Sequence, residues 1–191
     1  MRITGGDLRG RTLAAPADAR VRPTADKVRQ ALFNILRHHD FGSGFRLEGA
    51  RAIDLFAGTG ALGIEAISHG AAFCLFVEDA AESRALIREN VEMFGLTGAT
   101  KIWRRDATKL GSMAAGAGGP FTLAFLDPPY HKGLIAPALA ALRDGGWLSP
   151  GAVVVCECAG DENIPSTDGF TRHDVRAYGQ TRTAFLLYTP N

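Results

Sequence analysis

The chain has 191 residues, 46% of them hydrophobic and 21% charged, and a formal net charge of +1. These values suit one globular domain with a sizeable core. No window approaches the ~18 uninterrupted apolar residues of a spanning helix, and "MRITGGDLRG" lacks the apolar stretch of a secretory signal. A cytoplasmic protein with no membrane partner is therefore expected.

In chain order, residues 1–13 alternate weakly and contain Gly5-Gly6 and Gly10, which suits a short hairpin. Arg20 to Pro23 reads as a connector. Thr24 is expected to N-cap a helix with Asp26 in its first turn. Val28, Ala31, Leu32, Ile35 and Leu36 follow at the spacing of one buried helical face. Residues 1–40 are thus expected to form a hairpin-and-helix extension, with Gly42 and Gly44 marking the joint to a body over 41–191.

From residue 51 strands and helices alternate. Strands are expected at "RAIDLFA", "AAFCLFVE", "TKIWRR", "FTLAFL" and "GAVVVCEC". Helices are expected at "GALGIEAISHG", "AAESRALIRENVEMFG" and "GLIAPALAALRDGG", with a short one at "DATKLGSMA". "AGAGGP" reads as a surface loop, and "GFTRHDVRAYG" with "TRTAFLLYTP" as a final hairpin. Near-continuous apolar strands separated by helices imply a mostly parallel sheet covered on both faces, that is, a doubly wound α/β domain ending in an antiparallel hairpin.

The three cysteines, Cys74, Cys156 and Cys158, have no C-x-x-C spacing, and the five histidines show no ligand spacing. Buried thiols are expected, with neither a disulfide framework nor a metal. The charge is unevenly spread. Residues 1–37 carry eight Lys/Arg against three Asp, a balance of +5, and the remainder carries thirteen basic against seventeen acidic residues, a balance of −4. A basic segment on an acidic body points to a polyanion met from one side. Arg9, Arg11, Arg20 and Arg22, together with Arg2 and with Lys132 further on, are the phosphate-contact candidates.

"DLFAGTGALG" places Asp54, Gly58, Gly60 and Gly63 at the first strand-to-helix turn, and Gly58-x-Gly60-x-x-Gly63 has the spacing of a dinucleotide fingerprint. Glu78 ends the second strand about 20 residues on, where a carboxylate can accept ribose hydroxyls. Asp106, followed by Ala107, ends the third and can meet the base of an adenosine or cap the next helix; Asp79 can likewise cap the helix it precedes. An adenosine-containing ligand follows, either a nicotinamide dinucleotide or S-adenosylmethionine. Asp54, a carboxylate four residues before the first glycine, suits an ammonium group and offers nothing to a pyrophosphate.

Asp127-Pro128-Pro129-Tyr130 ends the fourth strand. Here the chain resembles the amino-methyltransferases, whose signature is Asp/Asn-Pro-Pro-aromatic. The Asp127 carboxylate and Pro128 carbonyl can accept both hydrogens of an exocyclic amine, and the prolines Pro128 and Pro129 hold them in place. Tyr130 can stack on an extruded base. A carboxylate also matches the paired donors of guanine, N1–H and the N2 amine.

"RITGGDLRGRTL", "RPTADKVRQALFNIL", "DLFAGTGALGIEAISHGA", "DPPY" and "YGQTRTAFLLY" together resemble, over essentially the whole chain, the bacterial small-subunit rRNA guanine-N2 methyltransferases of the RsmD type. The resemblance implies a class I Rossmann-like fold, S-adenosylmethionine as cofactor, and methylation of one guanine of 16S rRNA within an assembling small subunit, by a monomer. It implies a cofactor site of Asp54, Gly58, Gly60, Glu78, Asp106, Ala107 and Thr24, with Arg22-Pro23-Thr24 near the entrance. Three other readings stay open: an N6-adenine methyltransferase on DNA, a nucleotide-dependent oxidoreductase, and a non-catalytic ribosome-assembly module.

Overall fold

The computed structural model describes residues 1–16 and 23–190, and the side chains of residues 23–25 fall outside that description. Helix α1 spans Pro23–His38. The alternation predicted from residue 51 follows as β1 Arg51–Leu55, α2 Ala61–Ser68, β2 Phe73–Val77, α3 Ala81–Met93, β3 Thr100–Trp103, β4 Phe121–Leu126, α4 Ile135–Asp144, β5 Leu148–Ala159, β6 Phe170–Tyr178 and β7 Thr181–Tyr188. The sheet order is β3-β2-β1-β4-β5-β7-β6. β7 alone runs antiparallel, paired with β5 on one side and β6 on the other. The doubly wound sheet with a C-terminal hairpin is therefore as expected, and the hairpin's second strand inserts beside β5. Among the described residues, no helix is long and apolar enough to cross a membrane.

Each inner strand sends alternate side chains into two cores. Leu75 and Val77 face one cluster with Leu126, Leu139 and Trp147. Cys74 and Phe76 face the other with Ile64, Ile87 and Val91. All three cysteines are free and buried. Full burial of such side chains stabilises by about 1.5–3 kcal/mol each, so covering the sheet on both faces is what holds the parallel arrangement.

Helix α1 belongs to the second core as well. Leu32, Phe33 and Leu36 share it with Phe125, Val155 and Phe185, and the Phe33 and Phe125 rings lie 5.8 Å apart. The N-terminal hairpin closes by an Arg2–Thr12 bridge and docks on α2, where the Asp7 N–H donates to the Ser68 carbonyl at 2.8 Å. Gly6 (φ 72°) has no alternative there, because a Cβ would sit 1.8 Å from the Ser68 oxygen. The fully buried Glu65 of α2 is the anchor. Its carboxylate accepts the Thr4 N–H and hydroxyl, the Gly5 N–H and Arg29 Nε at 2.7–3.0 Å. Burial pushes its pKa up, but His69 at 3.5 Å, the hydrogen bonds from Thr4 and the charge of Arg29 outweigh this and hold it below the usual value.

Three local expectations are corrected. α1 begins at Pro23, so Thr24 lies inside the first turn and does not cap it; proline suits the first helical position because its missing N–H has no partner there anyway. Ala80, not Asp79, precedes α3 as its cap residue. Residues 106–114 form turns, not a helix. Asp106 Oδ1 accepts both the N–H (2.8 Å) and the hydroxyl (2.7 Å) of Thr108, a local bonding pattern that competes with helix propagation, and Gly111 at φ 64° turns the chain away.

Candidate active site

Leu55 and Leu126 pair at the carboxyl ends of β1 and β4. From there the chain continues to opposite halves of the sheet, the switch point at which open α/β sheets form a ligand crevice. A cavity of about 720 Å³ opens there, within the range of small-molecule and cofactor sites. The end of β1 supplies Asp54 and Phe56 to Thr59, α1 supplies Arg29, and Asp127 and Tyr130 lie opposite. Glu157 of β5 and the β6–β7 turn, Tyr178 to Thr181, complete the wall.

The turn after β1 is built for close approach. Phe56, Gly58 and Gly60 all have positive φ (59°, 55° and 78°); for a bulky residue such as Phe56 that conformation is uncommon and costly. Gly63 lies where a Cβ would meet the Phe76 ring at 2.4 Å and Cys74 Sγ at 2.5 Å, so its role is helix-to-strand packing. Asp54 is 1% exposed. Its Oδ2 accepts the Gly63 N–H at 3.0 Å, and Oδ1 has no hydrogen-bond partner among the described residues. Burial pushes its pKa well up, against the lowering effect of that hydrogen bond. A buried carboxylate with one uncommitted oxygen beside a glycine turn fits a cationic group of a ligand.

Glu78 ties the turn to its neighbour. Oε2 accepts the Gly58 N–H at 2.9 Å, and Oε1 accepts the Ala80 N–H at 2.8 Å. Asn90, fully buried on α3, donates to the Thr59 and Ala14 carbonyls at 3.0 Å and accepts the Ala14 N–H at 2.7 Å. The glycine turn is thus held from both sides.

Across the cavity, Asp127 is open to the cavity space yet set deep in its concave wall. Protein around it, and then the Glu157 charge, push its pKa up. Burial also pushes Glu157 up, partly countered by the Tyr130 hydrogen bond and the Arg29 charge. The Tyr130 hydroxyl donates to Glu157 Oε1 at 2.9 Å and lies 3.3 Å from Thr181 Oγ1, which fixes a ring that is 38% exposed. His131 follows with φ 58° and its N–H bonded to Glu162.

Of the residues expected at the site, the structure brings Asp54, Gly58, Asp127 and Tyr130 into one cavity. Glu78 reaches it through the Gly58 N–H, and Gly60 caps α2 behind it. Pro128 and Pro129 line a smaller adjoining cavity of about 140 Å³ that shares Tyr130 and Glu157 with the first. Asp106 is exposed and Ala107 buried at the end of β3, both off the walls of the large cavity. Arg9 and Lys132 are exposed. Arg11 is exposed too, with its guanidinium 4.5 Å over the Phe94 ring and bonded to the Met93 carbonyl at 3.0 Å. Arg20, Arg22 and the side chain of Thr24 lie outside the described residues.

Sequence reasoning passed over Arg29, Asn90 and Glu157. Glu157 carried a signal, a carboxylate inside an apolar strand, the same sign that singled out Asp54. Arg29 sits one position off the apolar pattern of α1, and only the fold shows that it turns inward.

A model of the family described as Conserved hypothetical protein 95 matches residues 1–187. The ribosomal RNA small subunit methyltransferase D of Escherichia coli K12 is 34% identical over 190 residues, which cover 98% of this chain and 89% of that one. The solved structure of the Escherichia coli protein yhhF superposes with a TM-score of 0.82 at 26% identity, covering 100% of this chain and 99% of that one. An RNA methyltransferase from Salinibacter ruber, solved in complex with S-adenosyl-L-homocysteine, shares the fold with a TM-score of 0.62 at 14% identity, covering 86% and 92%. With the family matched over residues 1–187 and the glycine turn, Asp127 and Tyr130 lining one cavity, the chain belongs to the Conserved hypothetical protein 95 family, that of the ribosomal RNA small subunit methyltransferase D proteins.

Proposed function

We propose that this protein transfers a methyl group from S-adenosylmethionine to the exocyclic N2 amine of a guanine in 16S rRNA, acting as a monomer on an assembling small subunit. The observation that carries the reading is one cavity that joins the β1 glycine turn to Asp127 and Tyr130. The relatives named for rRNA methylation support the reaction class, and the carboxylate at position 127 supports guanine over adenine.

The cofactor supplies an electrophilic sulfonium methyl. Asp54 holds the ammonium of its methionyl part, Gly58 lets the backbone come close, and Glu78 accepts ribose hydroxyls. Asp106 and Ala107 close the adenine end, and Thr24 lies near the entrance. Asp127 and the Pro128 carbonyl accept the two amine hydrogens, turning the nitrogen lone pair, otherwise delocalised into the ring, toward the methyl group. Pro128 and Pro129 limit movement of those acceptors. Tyr130 stacks on the extruded base. Asp127 takes the proton released after attack. Residues 1–40 act as the RNA-contacting part, with Arg9, Arg11, Arg20, Arg22 and Lys132 on phosphates.

The test is labelled methyl transfer onto unmodified 30S particles and naked 16S rRNA in parallel, with the product nucleoside identified by mass spectrometry. N2-methylguanosine in RNA is the expected product. N6-methyladenosine, or turnover on DNA only, would replace this reading with the adenine one, and absence of turnover on both RNA substrates would leave a binding module.

A further inference from the structure

We propose that Glu157 is a specificity-determining residue that accepts the N1–H of the target guanine while Asp127 engages the neighbouring N2 amine; this rests on the guanine-N2 reading above. Leu126 pairs with Cys156 between parallel strands β4 and β5, so the next residues, Asp127 and Glu157, stand side by side at the carboxyl end of the sheet. Both line the large cavity. Glu157 also lines the smaller one behind Pro128 and Pro129, and Tyr130 is common to both. The ring available to stack on a base and the two carboxylates therefore face the same space.

Only half of Glu157 is committed. Oε1 accepts the Tyr130 hydroxyl at 2.9 Å, and among the described residues Oε2 has no hydrogen-bond partner. Burial lifts both carboxylates above their ordinary pKa, and the Glu157 charge lifts Asp127 further by repulsion. A ligand edge with two neighbouring N–H donors relieves that repulsion. Guanine presents such an edge, N1–H beside the N2 amine. Adenine and cytosine each present a ring-nitrogen lone pair beside their amine, which a carboxylate in the Glu157 position would oppose. The pair thus selects the base by an acceptor–acceptor pattern, and Asp127 alone need not satisfy both donors.

The experiment uses the full chain with reconstituted 30S particles in which the guanine methylated by the wild-type enzyme is either kept or replaced by 2-aminopurine, through ligation of a synthetic RNA segment. 2-Aminopurine keeps the 2-amine and carries a lone pair at N1. Glu157→Gln is expected to lower kcat/KM on guanine particles by roughly 5- to 150-fold, the size of one base-edge contact. It should narrow the guanine-to-2-aminopurine ratio, because its amide can donate to that lone pair, and leave the Kd for S-adenosylhomocysteine unchanged. The same loss is expected in a Tyr130→Phe background. An unchanged ratio, or a Glu157→Gln effect that vanishes in that background, would overturn the inference and leave Glu157 as a support for the Tyr130 ring. A wild-type product other than N2-methylguanosine would overturn the guanine reading and this inference together.

Discussion

The Asp54 carboxylate accepts the Gly63 N–H at 3.0 Å, joining the end of β1 to the first turn of α2 across the glycine loop. Burial raises the Asp54 pKa well above its ordinary value. The native state therefore binds this proton more tightly than the unfolded chain, and the sign follows. The contribution of Asp54 to stability is complete below the unfolded value of 3.8 and is lost as pH rises from there through the raised native value. Asp54→Asn can still accept the Gly63 N–H and carries no charge. We expect a higher Tm at pH 7 and a flatter pH dependence by calorimetry. S-adenosylhomocysteine should bind about 10-fold or more weakly by titration, since hydrogen bonds to charged groups contribute about 1.5–3 kcal/mol.

On the proposed mechanism Asp127→Ala removes an acceptor for the reacting amine, and it leaves the β1 turn intact. Loss of one preorganised transition-state contact typically costs on the order of 10²–10³ in kcat. Transfer is expected to fall at least that far, with the cofactor Kd unchanged. Full turnover by the variant would take Asp127 out of the mechanism.

The pH–rate profile carries its own signature. On the proposed mechanism Asp127 takes the released proton only when ionised, and its surroundings and then Glu157 raise its pKa. Activity should therefore rise with pH along a limb well above the ordinary carboxylate range, measured as kcat/KM from about pH 5 to 9. Glu157→Gln removes a negative neighbour and should move that limb to lower pH. A limb that stays in place would mean that another group sets it.

Glu78→Ala frees the Gly58 and Ala80 N–H groups that the carboxylate now holds. Weaker cofactor binding by roughly 10- to 100-fold is expected, from loss of a charged hydrogen-bonding group of about 1.5–3 kcal/mol. Equilibrium binding checks it, and an unchanged Kd would count against the ribose role.

Glu65→Ala takes one of two carboxylates from Arg29, leaving Asp26 at 2.8 Å, and strips the acceptor from the Thr4 and Gly5 N–H groups. Each buried donor left unpaired costs about 1–3 kcal/mol. Urea denaturation should show a loss of that order, and limited proteolysis should show faster cleavage within residues 1–40.

The sheet was legible because its signals are local. Apolar runs such as "FTLAFL" leave a strand no other form, and the glycine turn announces its helix. Asp106 shows where local reading stops: the same carboxylate that could cap a helix instead bonds Thr108 and ends the regular structure. Within the site, Asp54, Gly58, Asp127 and Tyr130 were readable as motifs in contiguous stretches. Arg29 and Asn90 were not, because each acquires its role from a partner far along the chain, Glu65 for Arg29 and Thr59 for Asn90; Glu157 stood out as a carboxylate in an apolar strand, but only its bond to Tyr130 shows what it does.

Arg29 touches three parts of the protein at once: it lines the cavity, pairs with Glu65 of α2 and donates to the Arg2 carbonyl of the hairpin. The segment carrying the basic residues is therefore not a detachable cassette. A chimera that placed residues 1–40 of one relative on the body of another would need a matching α2 carboxylate, or leave Arg29 with Asp26 alone and the Thr4 and Gly5 N–H groups without their acceptor. Changes in what the amino-terminal segment recognises and changes in the chamber are bound to be inherited together.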